Sequence, residues 1–215
     1  MGTPSSDRPG AEAQQPAAPA GPGEPPPGGG RRIAFFGGSF NPPHIAHVLA
    51  VVYALSVEAI DEVLVVPVFQ HPFSKELVDF DARLEMCRLA VGWIPGARIS
   101  DVERELGGES RTLRTLEHLT ATHPDWRMRL LVGADVLGDL PKWHRFDRIA
   151  EIAPPIVLGR AGINAAGAPE AVLPKISSTE IREALAADDI EAVRSRVPSA
   201  VIEYIQRNGI YRRSP

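Results

Sequence analysis

The chain has 215 residues, of which 44% are hydrophobic and 23% charged, and its formal net charge is −4. This composition is typical of a globular protein, and the negative balance argues against broad electrostatic binding to nucleic acid. The single cysteine, Cys87, excludes an intrachain disulfide and a cysteine-rich zinc site. The longest apolar stretch, residues 45–57, is too short to span a bilayer, and the N-terminus does not resemble a secretory signal. We therefore expect a cytoplasmic protein with no membrane partner.

The composition changes near residue 30. Half of the first 30 residues are glycine or proline, and the first large aliphatic residue after Met1 is Ile33. Such a segment cannot bury enough apolar surface to offset the entropy lost on ordering. The sequence therefore predicts a disordered tail over residues 1–30 and a single domain over residues 31–215.

From residue 31 onwards, strand-like and helix-like segments alternate. Short apolar runs predict strands, and apolar residues at helical spacing predict helices. The predicted strands, in chain order, cover residues 32–36, 62–68, 98–102, 129–133 and 155–159. The predicted helices include residues 45–52, 80–91, 113–119, 180–187, 190–195 and 199–208, with Leu84, Cys87, Arg88 and Val91 along one side of the second. This alternation predicts an α/β fold with a doubly wound, mostly parallel sheet, helices on both faces and a helical C-terminal part.

The loop after the first predicted strand carries the strongest functional pattern, residues 37–47 (GGSFNPPHIAH). Its glycines allow a ligand to approach the backbone closely, and Pro43 is favoured at a helix start. His44 and His47 are three residues apart and share one face of the first turn, where free N–H groups and the helix dipole favour an anion. Two imidazoles there could donate hydrogen bonds to phosphate oxygens in a transition state. For the two histidines alone, a plain helix start is the simpler interpretation, and a zinc site lacks a third ligand nearby.

This string resembles the signature of the HxGH nucleotidyltransferase superfamily, with Ala46 where glycine is usual. Over residues 31–212 the chain resembles the nicotinate or nicotinamide mononucleotide adenylyltransferases, with the family's motifs in matching order. The resemblance implies a Rossmann-like nucleotidyltransferase fold. Four further segments carry it: residues 71–75 (HPFSK), residues 112–116 (TLRTL), residues 133–135 (GAD) with residues 141–143 (PKW), and residues 176–182 (ISSTEIR).

The segment at residues 176–182 also has an interpretation from its residues alone. Ser177 and Glu180 fit a capping box, which explains a helix start without any ligand. Ser178, Thr179 and Arg182 add two hydroxyls and a guanidinium, and such a helix start can hold phosphates. The resemblance assigns this segment to the ATP triphosphate.

Three further residues have both a structural and a functional interpretation. Asp135 could cap a helix or accept hydrogen bonds from ribose hydroxyls. Trp143 could be a core residue or a platform for a pyridine ring. Lys75 could be a solvated lysine or an ammonium that follows a moving phosphate. The resemblance places Asp135 against the nucleotide, Trp143 on the pyridine ring and Lys75 at the triphosphate.

The chain departs from the bacterial nicotinate pattern at Arg111 and Arg114, where that group usually has tyrosine and aspartate. An arginine would pair well with a substrate carboxylate, which favours the acid over the amide. It could instead reach a phosphate or face solvent. Asn41 replaces the aspartate that is commoner in bacterial members, although eukaryotic members share the asparagine.

The resemblance implies an adenylyltransferase of NAD biosynthesis that joins ATP and nicotinate mononucleotide into deamido-NAD and releases pyrophosphate. Mg²⁺ is expected to bind mainly through the ATP phosphates, with few or no protein ligands. Other open interpretations are a superfamily transferase acting on nicotinamide mononucleotide, pantetheine phosphate or a cytidylyl group, or a sensor that binds ATP or NAD without turnover. A homo-oligomer is also left open. The catalytic candidates are His44, His47, Lys75 and Arg182; the ATP-binding candidates are Gly38, Ser39, Phe40, Gly133, Asp135, Ile176, Ser178 and Thr179; the mononucleotide-binding candidates are Arg111, Thr112, Thr115 and Trp143.

Overall fold

A parallel sheet organises the computed structural model, which describes residues 29–70, 77–163 and 166–212. The predicted tail therefore lies outside the described residues, except for its last two positions. The described strands pair in the order β3-β2-β1-β4-β5-β6, and every pair is parallel. Their bounds are Arg31–Gly38 (β1), Glu62–Pro67 (β2), Ala97–Ile99 (β3), Trp126–Gly133 (β4), Pro155–Arg160 (β5) and Ala171–Leu173 (β6).

Helices cover both faces of this sheet. None in the described part is both long and apolar enough to cross a membrane. Short 3₁₀ turns at Ala134–Val136 and Leu140–Lys142 follow β4. The helices are Ile45–Val57 (α1), Phe80–Val91 (α2), Val102–Leu106 (α3), Thr112–Thr122 (α4), Phe146–Ile152 (α5), Ser178–Ala186 (α6), Ile190–Arg194 (α7) and Ser199–Arg207 (α8).

The alternating side chains of β1 separate two hydrophobic cores. Ala34 and Phe36 belong to the core shared with α1, α2 and α6–α8, whereas Ile33 and Phe35 belong to the core shared with α3–α5. Successive side chains of a strand point to opposite faces, and a central parallel strand is apolar on both. This is why the run Arg32–Phe36 has no polar residue after its first position.

The position of β1 next to β4 defines the switch point of the sheet. From β1 the chain winds through β2 to β3 on one side, and from β4 through β5 to β6 on the other. A crevice therefore opens at the carboxyl ends of β1 and β4, which is where ligands bind in sheets of this kind.

The predicted fold class is confirmed, and several element bounds need correction. The predicted strand at 98–102 ends at Ile99, because Val102 already begins α3. The helices α3 and α5 and the edge strand β6 were not predicted; all three are short. On α2 the bounds agree, but Arg88 is exposed and Arg83 takes the buried position beside Leu84.

At the amino-terminal edge of the sheet, away from the crevice, one buried carboxylate holds two arginines. Glu62 is the first residue of β2 and is 5% exposed. It lies 2.7 Å from the guanidinium of Arg31 and 2.7 Å from that of Arg98. These contacts join the starts of β1 and β2 to β3.

Candidate active site

The loop between β1 and α1 turns the chain into the crevice. Phe40 has φ of +46°, in the left-handed region that non-glycine residues rarely adopt. Its buried ring packs edge-on against Phe36 and His47, with centroid distances of 5.4 and 5.0 Å. A cis peptide bond between Asn41 and Pro42 follows. These contacts hold the turn immediately before the helix that carries the histidines.

His44 and His47 form a stacked pair at the start of α1. Their ring centroids are 3.7 Å apart. The backbone N–H of His44 donates to Nδ1 of His47 over 3.1 Å. An imidazole whose Nδ1 accepts carries its proton on Nε2. In its neutral form His47 therefore has a hydrogen-bond donor at Nε2.

Both imidazoles are held in the neutral form. Burial, with a smaller contribution from the positive charge of Arg160, lowers the pKa of His44 to about 4. Burial, the neighbouring His44 and Arg160 lower the pKa of His47 well below its ordinary value. Near neutral pH the pair thus offers N–H donors rather than positive charges. Nδ1 of His44 is buried and has no hydrogen-bond partner among the described residues.

The start of α6 is bonded directly to the loop before α1. The hydroxyl of Ser178 donates to the carbonyl of Pro42 over 3.1 Å. The guanidinium of Arg182 donates to the carbonyl of Asn41 over 2.8 Å and to Oγ1 of Thr179 over 3.2 Å. Two motifs that are more than 130 residues apart in sequence are therefore joined in one cluster.

The predicted N-cap of α6 is confirmed, whereas its predicted reciprocal bond is not formed. Ser177 Oγ accepts from the N–H of Thr179 over 3.2 Å. The carboxylate of Glu180 lies 3.5 Å from the guanidinium of Arg196 instead of returning to the N-cap. Because Glu180 is exposed, Arg196 can compete with the N-cap backbone for its carboxylate.

Arg160, at the end of β5, is a site residue that the sequence analysis missed. Its guanidinium donates to Oδ2 of Asp135 over 2.9 Å and also to the carbonyl of Ile176. It joins the end of β4 to the segment before α6 and lies close enough to lower the pKa of both histidines. Its position could have revealed Arg160, because this residue ends β5 and β5 lies beside β4 at the crevice.

The candidates for the mononucleotide lie around α4, on the other face of the sheet. Thr112 begins α4. Thr115 is fully buried and its hydroxyl donates to Glu103 over 2.5 Å, so this predicted binding residue is bonded inside the protein rather than exposed to a ligand. Arg111 is exposed and pairs with Glu109 at 2.8 Å. Trp143 is partly buried against the second core.

Arg114 has a structural role at the end of α3. Its guanidinium donates to the carbonyls of Leu106 and Gly107 over 2.5 and 2.6 Å. These groups lie at the carboxyl end of the helix, where a cation is favoured. Of the two unusual arginines, Arg114 is therefore bonded to main-chain carbonyls, whereas Arg111 is bonded only to the exposed carboxylate of Glu109.

The remaining candidates lie partly outside the described residues. Lys75 and the segment 71–75 fall within residues 71–76, which the structure does not describe. Gly38, at the end of β1, accepts from the N–H of Val68 over 2.9 Å.

Within residues 29–70, 77–163 and 166–212, no group of three His, Cys, Asp or Glu side chains is arranged to hold a metal ion.

The sheet and its histidine site identify the class of protein. Residues 35–184 match the family model described as cytidylyltransferase-like, and the chain belongs to that family. A probable nicotinate-nucleotide adenylyltransferase of Anaeromyxobacter dehalogenans (strain 2CP-C) is 50% identical over 188 residues, covering 86% of this chain and 98% of the relative. A relative of the same name from Myxococcus xanthus is 41% identical over 184 residues, covering 84% and 94%. Within its class the chain is a member of the nicotinate-nucleotide adenylyltransferase family.

Solved structures of low sequence identity share the fold. Plasmodium falciparum nicotinic acid mononucleotide adenylyltransferase complexed with NaAD gives a TM-score of 0.72 at 21% identity, covering 84% of this chain and 97% of that one. A putative nicotinate-nucleotide adenylyltransferase of Vibrio parahaemolyticus gives 0.67 at 24% identity, covering 86% and 97%. These matches confirm the Rossmann-like nucleotidyltransferase architecture.

Proposed function

We propose that this protein transfers the adenylyl group of ATP to nicotinate mononucleotide, forming deamido-NAD and pyrophosphate. The observation that carries the proposal is the cluster at the switch point, where Ser178 and Arg182 of α6 bond the loop that leads to His44 and His47. This cluster combines neutral N–H donors, hydroxyls and a guanidinium around two helix starts. Such groups suit a polyphosphate. The family membership supplies the two substrates.

In the proposed reaction, a phosphate oxygen of the mononucleotide attacks the α-phosphorus of ATP. The new P–O bond forms as the bond to the pyrophosphate leaving group breaks. The attacking phosphate is already anionic, so no strong base or protein nucleophile is required. Catalysis then consists of positioning and of stabilising the charge that builds on the α-phosphate. The Nε2–H of His47 and the ring of His44 would serve this second purpose.

The other candidates divide between the two substrates. Arg182, Ser178, Thr179 and Lys75 would hold the β- and γ-phosphates, with backbone groups of the loop before α1. That loop contributes Gly38, Ser39 and Phe40, and the nucleoside would lie against Gly133, Asp135 and Ile176.

For the mononucleotide, we propose that Thr112 and Arg111 contact its polar groups and that Trp143 stacks on the pyridine ring. Thr115 would act indirectly, through its bond to Glu103. The preference for the acid would come from Arg111, which would exchange the exposed carboxylate of Glu109 for that of the substrate. Arg114 already donates to two main-chain carbonyls.

Mg²⁺ would enter with ATP. The described donors at the cluster are imidazoles, hydroxyls and guanidinium groups, and the carboxylate of Asp135 is already paired with Arg160. This set fits a metal held by phosphate oxygens, because Mg²⁺ prefers oxygen ligands and keeps several waters. When bound, the ion would neutralise phosphate charge. We also propose a cytoplasmic location. Light scattering would measure the oligomeric state.

The first experiment measures pyrophosphate release with ATP, Mg²⁺ and one of three acceptors: nicotinate mononucleotide, nicotinamide mononucleotide or phosphopantetheine. We expect clear preference for the nicotinate form. Preference for another acceptor would assign a different transferase activity, and ATP binding without turnover would favour the sensor. In the variant His47→Ala, we expect the rate to fall far more than ATP affinity; equal losses would contradict a transition-state role.

A further inference from the structure

Arg83 is a buried cation that holds three chain segments together behind the phosphate cluster. It lies on α2 and is 1% exposed. Its hydrogen bonds reach the segment before α2, the loop after β1 and the residues that follow β2. The acceptors are the main-chain carbonyls of Val78 (2.8 Å), Ser39 (3.2 Å), Val68 (2.7 Å) and Phe69 (3.5 Å).

The charge of this side chain has no carboxylate acceptor among the described residues; each of its hydrogen-bond acceptors there is a main-chain carbonyl. The guanidinium also lies 5.4 Å from the ring centroid of Phe80. A buried charge is costly unless its surroundings compensate it. Burial lowers the pKa of Arg83, yet an arginine stays protonated in proteins. Arg83 stays charged despite the cost of burial, and its donors are bonded to loop carbonyls. It is therefore suited to setting the geometry of those loops.

One of these bonds fixes the peptide between Ser39 and Phe40. In a trans peptide the C=O and the N–H point in opposite directions. Because Arg83 holds the Ser39 carbonyl, the Phe40 N–H points away from Arg83. No described group accepts a hydrogen bond from that N–H. Phe40 itself has the left-handed φ of +46°, a conformation that persists only where the surroundings enforce it.

We propose that Arg83 is a positioning residue for triphosphate binding. It holds the Ser39–Phe40 peptide so that the Phe40 N–H is directed at the phosphates, and it keeps the loop after β1 aligned with the end of β2. The proposal rests on the proposed function for the identity of the ligand. It assigns Arg83 no contact with substrate.

The test compares Arg83→Lys with Arg88→Lys on the same helix, where Arg88 is exposed and serves as the matched control. A lysine keeps the charge but lacks the planar fork of five donors. We expect kcat/KM for ATP to fall about 10- to 100-fold in Arg83→Lys, because small displacements of binding groups have effects of that size. The KM for nicotinate mononucleotide should change less than about threefold, and Arg88→Lys should behave as the wild type.

Calorimetry with inorganic triphosphate alone separates this role from a general loss of structure. We expect Arg83→Lys to lose triphosphate affinity at a temperature well below its thermal midpoint, whereas Arg88→Lys keeps it. Unchanged triphosphate affinity in Arg83→Lys would overturn the proposal. Equal losses for both substrates with a lowered midpoint would also overturn it, because they would indicate only a structural role.

A measurement on the wild-type protein covers the case in which no Arg83 variant folds. Titration with inorganic triphosphate should shift the backbone amide resonance of Phe40, and an unmoved resonance would contradict the proposal. This binding requires no mononucleotide and no turnover. Failure of the adenylyl transfer reaction would therefore appear as absent pyrophosphate release in the wild type, independently of these results.

Discussion

The hydroxyl of Tyr211 donates to Oδ1 of Asn41 over 2.7 Å, and the two residues are 170 positions apart in the chain. The same Asn41 side chain accepts from the N–H of Val78 over 3.4 Å, and the main-chain carbonyl of Asn41 accepts from Arg182. The segment after α8 therefore fixes the loop that precedes the paired histidines. Through this bond the C-terminal part takes part in ordering the candidate active site.

Replacing Tyr211 with phenylalanine removes this hydrogen bond and keeps the ring. We expect the free energy of unfolding to fall by about 0.5–1.5 kcal/mol and kcat/KM for ATP to fall several-fold. Urea denaturation and initial rates measure the two effects. Tyr204→Phe is the control, because the Tyr204 hydroxyl donates to no described group. Equal behaviour of the two variants would show that the Tyr211 bond does not order the loop.

The neutral histidines should make stability fall with acidity. The pKa of His44 is about 4 in the folded protein and about 6.5 in an unfolded chain. Between these values the unfolded chain binds more protons, so the free energy of unfolding should decrease as the pH falls from 6.5 towards 4, by up to about 1.4 kcal/mol per pH unit for His44.

Urea denaturation of the wild type and of His44→Gln between pH 4.5 and 7.5 checks this expectation. The variant should have the shallower dependence on pH. The exposed His144→Gln is the matched control. Parallel profiles for the wild type and His44→Gln would mean that His44 keeps an ordinary pKa in the folded protein.

Arg160 should influence both histidines through its charge. In Arg160→Gln we expect the pKa of His44 and of His47 to rise, but not to the ordinary value, because burial is the larger cause and remains. NMR titration of the imidazole signals measures the change. The control is Arg194→Gln on α7. Unmoved imidazole pKa values in Arg160→Gln would contradict the electrostatic link.

The two unusual arginines near α4 should differ in effect. Arg111→Gln should reduce the preference for nicotinate over nicotinamide mononucleotide, measured as the ratio of kcat/KM values, with little change in stability. Arg114→Gln should leave that ratio nearly unchanged and lower the free energy of unfolding by about 1–2 kcal/mol, because two carbonyls lose a charged donor. The reverse pattern would assign substrate discrimination to Arg114.

The elements with strong periodicity could be predicted from the sequence. The bounds of α2 agree with the prediction, and β1 extends the predicted run by only a few residues. The edge strand β6 has three residues, two of them exposed, so it lacks a buried apolar run. Its pairing with β5 depends on tertiary context rather than on local pattern.

The site could be predicted where its residues are close in sequence. His44 and His47 lie on one helical turn, so their spacing alone brings them together. Arg160 meets Asp135 only because β4 and β5 pair in register, with Gly133 opposite Leu158. Arg83 interrupts an apolar helix face. Its role depends on carbonyls from two loops, one between β1 and α1 and one between β2 and α2.

The ion pairs of Glu62 and the histidine site lie at opposite edges of the sheet. The carboxylate and its two arginines tie the strands together at the edge opposite the histidines. Substitutions there would alter folding free energy without entering the crevice. A lineage adapting to heat or salt could therefore adjust these arginines while its catalytic rate evolves under separate selection, and a laboratory stabilisation programme could begin at the same place.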